Sequence, residues 1–337
     1  MAEENSTTSH LSDAMTATEE TQGSRESTVA SSLSPVDRSY FTLAVILVGV
    51  IGTVSNAFIL YALVASKQYK KYLLIFNQNT IDLYTCAMLV VTFVVRHTNV
   101  VPLNRSLGYW HCTIVLSDVF VKIGMFGSVI NLALVTVDRY VKVCTKKKLR
   151  RWMIYSGMAF AWIGSIVYNL TAVFPTTVEI NGMCLPFTKF NNKFAKSCYF
   201  IFNFLAFYVI ILFIFTFCYG RILTAIRRQA KVMASHNAPQ SSTTRNQSQL
   251  KKIQTNVIKT MIIVSAFYAV MFLPNYINML LYHFLFLTAN RLVMIIYFVS
   301  LFCQFLYVCI NPFIYAIVFD PVKQILARMI PWQRSTE

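Results

Sequence analysis

The sequence predicts an all-α membrane protein: a seven-transmembrane helix bundle with a short amphipathic C-terminal helix. Three observations predict it. Hydrophobic residues make up 56% of the 337, and mean hydropathy is +0.55. Seven apolar stretches each reach the ~20 residues that a helix needs to cross a bilayer. Lys and Arg gather in alternate gaps between those stretches, as they do in the cytoplasmic loops of membrane proteins. The net charge of +17 taken alone would suit nucleic acid. Its confinement to short gaps assigns it to loops at a membrane, so no nucleic-acid partner is expected.

Residues 1–40 are rich in Ser, Thr, Glu and Ala, lack an apolar run and read as a disordered tail. No signal-peptide core is evident near Met1. The spans then fall at about residues 40–65, 72–95, 112–140, 152–174, 197–223, 253–282 and 292–319. The bundle as a unit covers 41–319. The third stretch organises the chain. It opens on Cys112, closes on Asp138-Arg139-Tyr140 and carries Asp118 and Lys122 near its start. Ionisable groups at such depth mark a pathway, a ligand contact or a switch.

Orientation follows from the gaps. Lys67, Lys70 and Lys71 fill the first; Lys142, Lys146, Lys147, Lys148, Arg150 and Arg151 the third; Arg227, Arg228, Lys231, Arg245, Lys251 and Lys252 the fifth. The positive-inside rule puts the N-terminus outside and the C-terminus in the cytoplasm. The tail would then be extracellular, with Asn5 and Asn104 as glycosylation acceptors. Asn169 falls within the fourth span and is expected to be unusable. The fifth gap, about 228–250, reads as a polar, flexible loop, its Ser241–Thr244 run either a phosphorylation site or plain linker. Residues 320–337 begin Asp-Pro and repeat Val322, Ile325, Leu326 and Met329 at helical spacing, which suits an amphipathic helix on the inner leaflet.

Of eight cysteines, only Cys112, Cys184 and Cys198 fall on the outer side. One extracellular bridge is allowed, with Cys112–Cys184 the natural pair and Cys198 the competitor.

Several motifs fall in matching segments. The first span holds Gly52-Thr53-Val54-Ser55-Asn56, and the second Asn77 with Asp82-Leu83 five residues on. The third ends Asp138-Arg139-Tyr140. Trp162, Tyr219 and Phe272-Leu273-Pro274 fall in the fourth, fifth and sixth. The seventh ends Asn311-Pro312-Phe313-Ile314-Tyr315. With these motifs the chain resembles class A (rhodopsin-like) G-protein-coupled receptors over about residues 41–330. The resemblance implies a plasma-membrane receptor that couples an unidentified extracellular ligand to a heterotrimeric G protein, with arrestin and a receptor kinase as further partners. It implies no enzyme activity, and no HExxH, GxSxG or P-loop is present. A seven-helix transporter or channel is the rival class, but no inverted repeat supports it.

The resemblance also implies residue roles. Asp138, Arg139, Tyr140, Tyr219, Asn311, Pro312 and Tyr315 form the coupling and switch set. There Asp138 holds Arg139 at rest; an interfacial charge pair that only anchors depth is the alternative. Asp82 with Asn56, Ser128 and Asn311 resembles a sodium pocket; a hydrogen-bonded carboxyl that joins helices is the alternative. Asn77 with Asp82-Leu83 five residues on is similar to the family's NLAxADL. Its Asn and Ser just before the seventh-span Asn are Tyr307 and Val308. Asp118, Val121, Lys122, Phe272 and Phe305 would face a ligand cavity, though Asp118 and Lys122, four apart, also suit a mutual ion pair. Val121 stands where aminergic receptors carry Asp, and Phe305 where opsins carry the retinal Lys, so neither ligand is expected. Arg96, His97, His283 and Arg291 make the mouth mildly basic and suit an acidic ligand.

Departures from the pattern carry expectations too. Phe272 replaces the Trp before Pro274, so it toggles or simply packs. Gln254 stands near the acid that locks Arg139 from the sixth helix, so a loosened resting state with basal activity is expected. Ile211 replaces the fifth-helix Pro, so the bulge at that point is expected to be missing. Cys112 lies 27 residues before Arg139, two more than the family norm, which implies a bulge at the outer end of the third helix. The basic second and third cytoplasmic loops would complete the G-protein face.

Overall fold

The computed structural model describes residues 35–98, 105–180, 183–185, 189–190, 192–235, 242–284 and 291–318. Among them, seven helices are long and apolar enough to cross a membrane. They are Val36–Ala65, Leu73–His97, Gly108–Thr145, Arg151–Thr176, Phe194–Arg228, Ile258–Leu281 and Ile295–Tyr315, the first to seventh spans below. The third packs against the second, fourth, fifth and sixth, and the seventh closes the ring against the first, second and sixth. Burial follows this order. In the third span 72% of the apolar window is buried, against 22% in the fourth and fifth, whose outward faces keep large apolar side chains such as Phe160, Ile163, Phe213 and Phe217. Such faces suit lipid, which solvates apolar groups as well as a core does.

Glycine sets the closest approaches. A Cβ at Gly52 would lie 2.7 Å from the sulfurs of both Cys86 and Cys309, and one at Gly124 would lie 2.0 Å from Thr85 Oγ1. The first span therefore meets the second and seventh, and the third meets the second, at distances that no larger residue permits.

The spans are not uniform helices. The third begins with a short helix, Arg105–Trp110, runs into a π-helical turn, His111–Leu116, and breaks at Asp118, whose φ of 58° is left-handed. Asp tolerates that region better than most residues. The regular helix Val119–Tyr140 follows, with the Lys122 amide donating to the Asp118 carbonyl at 2.9 Å. The extra length expected at this end is thus taken up by a π turn and a one-residue break. The fifth span corrects an expectation: a π-helical turn, Leu205–Val209, sits immediately before Ile210 and Ile211. The bulge is present without proline. The fifth gap is a second correction, since helix continues to Ser235 and resumes at Ser242.

Two three-residue strands, Val178–Ile180 and Met183–Leu185, form an antiparallel hairpin with Glu179 opposite Cys184. The second strand packs against the π turn that carries Cys112. Cys112 is disulfide-bonded and Cys198 is a free thiol, so Cys198 does not compete. The side chains of Cys184, Gln254, His283 and Arg291 lie outside the described residues, as do Asn5, Asn104 and the amphipathic segment 320–337. Asn169 is buried inside the fourth span and donates to the Ser165 carbonyl at 2.9 Å.

Candidate functional site

Among the described residues, three polar clusters lie along the bundle. The middle one joins the second, third, fourth and seventh spans. Its hydrogen bonds run in one direction, and the end groups dictate that direction. The Trp162 indole can only donate, and it gives Nε1–H to Asn77 Oδ1 at 3.2 Å. Asn77 Nδ2 must then face Asn131 Oδ1, at 2.8 Å. Asn131 Nδ2 donates onward to Gln78 Oε1 at 2.7 Å. Gln78 Nε2 is left facing Asp82, 3.2 and 3.3 Å from its two oxygens, and also donates to Ser128 Oγ at 2.5 Å. Ser128 Oγ donates to Asp82 Oδ1 at 2.7 Å, and Asn311 Nδ2 to Oδ2 at 2.9 Å. Asp82, Gln78, Ser128, Asn131 and Asn311 have no exposed surface. A buried carboxyl needs such donors.

Of the four residues expected around a sodium ion, three meet and one does not. Asn56 donates to the Gly52 carbonyl at 2.9 Å and lies by Cys86, without reaching Asp82. A hard cation takes oxygen ligands, whereas Gln78 and Asn311 offer Asp82 their N–H groups. As arranged, these residues do not form a sodium shell, although Asn311 Oδ1 is buried without a partner beside Asp82 and is an oxygen that a hard cation could use. They fit a carboxyl held by donors from three spans. Gln78 was missing from the sequence-based set, although its place four residues before Asp82 put both on one helix face.

The second cluster lies at the end that carries Asp138-Arg139-Tyr140. Asp138 Oδ2 pairs with Lys142 Nζ at 2.5 Å. The resting contact expected between Asp138 and Arg139 is not formed: Asp138 Oδ1 and Arg139 Nε are buried without a hydrogen-bond partner. Spacing favours the outcome: Lys142, four residues on, shares the helix face of Asp138, whereas the adjacent Arg139 must bend its long side chain back to reach it. Tyr140 packs at a tilt against Phe217, ring centroids 5.8 Å apart. Tyr219 bridges three spans, its hydroxyl 2.9 Å from Thr136 Oγ1 and 3.1 Å from Ser265 Oγ. Pro312 and Tyr315 are buried nearby in the seventh span.

The third cluster lies at the opposite end. Asp118 pairs with Arg96 of the second span at 2.8 Å. Arg96 also donates to the Leu116 carbonyl and stacks on Phe93. Lys122 Nζ donates to the Ser117 carbonyl at 2.7 Å. Arg96 thus crosses from the second span to hold the break in the third. Val121 is buried in the core. Phe272 lies in an aromatic cluster, 4.6 Å from Tyr268 and 5.3 Å from Tyr307 between ring centroids. Phe305 packs on Phe93 at 5.6 Å, toward the first and second spans. A second aromatic group joins the fourth, fifth and sixth spans in this half. Tyr168 donates to Asn203 Oδ1 at 2.8 Å, and Tyr208 lies 5.0 Å from Tyr276. Its members were not singled out in the sequence, because tyrosines in apolar spans look like packing.

Residues 55–315 match the family described as 7 transmembrane receptor (rhodopsin family). The chain belongs to this family. It is therefore a G-protein-coupled receptor answering an extracellular ligand, in a family of receptors rather than enzymes. It is similar to galanin receptor 2b of Danio rerio, 23% identical over 290 residues, which cover 81% of this chain and 70% of that one. It is also similar to galanin receptor type 1 of Mus musculus, 22% identical over 250 residues, 71% of this chain and 67% of that one. Among solved structures squid rhodopsin shares the fold, with a TM-score of 0.71 at 14% identity, covering 90% of the receptor and 88% of that chain.

Proposed function

We propose that the receptor sits in the plasma membrane with its N-terminus outside, binds a galanin-related ligand at the end holding Arg96 and Asp118, and engages its G protein around Arg139. The observation that carries the ligand reading is the naming of both curated relatives as galanin receptors. Val121 and Phe305, at the positions where monoamine and retinal receptors carry Asp and Lys, are consistent with it. Orientation rests on the alternation of basic gaps. In that orientation the exposed Lys67, Lys70, Lys71, Lys146, Lys147, Lys148, Arg150, Arg227 and Arg228 surround Arg139 on the cytoplasmic side. Arrestin and a receptor kinase would use the same face. A Cys112–Cys184 bridge would tie the hairpin to the third span, and Asn5 and Asn104 would carry glycans. The receptor is not an enzyme; its mechanism is a population shift, with the ligand binding the active bundle better by a few kcal/mol.

The test uses cells expressing the full chain with an epitope tag at its N-terminus. Staining without permeabilisation supports the orientation, and staining only after it overturns it. Galanin is then added and G-protein dissociation read. A saturable response supports the ligand reading; none at micromolar galanin, with the receptor on the surface, overturns it.

A further inference from the structure

Asp138 has two cationic neighbours on its own helix and contacts only one. Lys142 takes Oδ2 at 2.5 Å, while Oδ1 and the Arg139 Nε are left buried and without hydrogen-bond partners. The Asp138 side chain is 3% exposed and that of Lys142 31%. The pair therefore has one foot in the bundle and one at the surface. Lys142 lies in the π-helical continuation of the third span, Val141–Thr145, which ends at Lys146 in the left-handed region (φ 56°). We propose that Lys142 is a positioning residue for coupling: by occupying Asp138 it keeps Arg139 unlocked and gives the receptor basal activity.

The argument rests on the coupling reading above and deepens it. A buried carboxylate seeks one strong charge partner. If Lys142 is removed, Arg139 is the cation left adjacent to Asp138, and pairing would satisfy both orphaned atoms. Arg139 would then be withdrawn from the G protein. Lys142 thus acts on the G protein through Asp138 and Arg139, without needing to touch it.

The test measures ligand-free nucleotide exchange on co-expressed G proteins at matched surface expression, across the main alpha-subunit classes. The variants are Lys142→Met, Lys142→Arg, Asp138→Asn, Lys142→Met/Asp138→Asn and Arg139→Ala. Basal exchange by the wild type is expected. Lys142→Met should lower it about two- to fivefold, the range for an ion pair with one end at the surface. Lys142→Arg should retain it. Asp138→Asn should restore exchange in the Lys142→Met background. A merely structural lysine gives no such restoration. Unchanged exchange in Lys142→Met, no restoration in the double variant, or a wild type without basal exchange overturns the inference. If Arg139→Ala alone keeps full exchange, the coupling reading fails as well. Loss in Arg139→Ala without an effect of Lys142→Met sinks only the role of Lys142.

Discussion

Replacing Gln78 by Leu, the residue at that place in the family pattern, should destabilise the receptor. The substitution removes the two contacts to Asp82, at 3.2 and 3.3 Å, the bond to Ser128 Oγ at 2.5 Å, and the acceptor for Asn131 Nδ2 at 2.7 Å. Two of these partners belong to the third span, so the second and third spans lose two of their polar links, while Ser128–Asp82, Asn77–Asn131 and Asn131–Leu74 remain. Hydrogen bonds between helices in membranes average about 0.6 kcal/mol and reach about 1.7. Asn131 Nδ2 keeps the Leu74 carbonyl at 3.1 Å, and Asp82 keeps Ser128 and Asn311, so no group is orphaned. The sum is about 1–3 kcal/mol, or about 1–4 °C in melting temperature for 337 residues at about 2.1 cal/mol/K each. The assay is a thermal melt of detergent-purified receptor. Because Gln78 steadies a carboxyl, its loss should cost less in an Asp82→Asn background, which a double-mutant cycle reads directly. A Gln78→Leu receptor that melts with the wild type, or a cycle without coupling, would refute the directional chain from Trp162 to Asp82.

The same chain predicts that replacing sodium by potassium or choline leaves the wild-type melting temperature unchanged; a stabilisation specific to sodium would mean the donors rearrange into an ion shell. Arg96→Ala leaves the carboxylate of Asp118 without its cross-span partner and should lower surface expression and melting temperature, by about 1–3 kcal/mol for a half-buried pair. The Arg96→Asp/Asp118→Arg exchange should recover part of that loss, measured by surface staining. Gly124→Val forces atoms against Thr85, where a Cβ alone would already lie 2.0 Å from Oγ1, and should cost about 1–3 kcal/mol in the same melt. Gln254→Glu supplies an acid to hold Arg139 and should reduce basal G-protein activation; unchanged output would remove the sixth helix from that control.

The seven spans were legible because each apolar stretch is long enough to demand a helix across lipid, where no other open-chain structure satisfies the backbone. The ends of the third and seventh spans were legible from Asp138-Arg139-Tyr140 and Asn311-Pro312. The shape within the spans was legible only as extra length at the outer end of the third, between Cys112 and Arg139. The break at Asp118 is held by Arg96, 22 residues earlier in sequence, and a π turn leaves no compositional mark. The same holds at Leu205–Val209, which needs no proline. The choices made by Asp82 and Asp138 were half-legible. In each, a polar partner stood four residues away, Gln78 before the one and Lys142 after the other, and helical spacing favoured both. The resemblance to a family directed attention to Asn56 and Arg139 instead. The structure follows the spacing.

We propose that Arg139 carries the signal of this receptor to its G protein. The measurement that tests it most directly is ligand-free nucleotide exchange in membranes with the wild type or Arg139→Ala at equal surface density, across the main alpha-subunit classes. Exchange above receptor-free membranes in one class, lost in Arg139→Ala, is expected. Exchange equal in the two receptors, or absent from both, would contradict it.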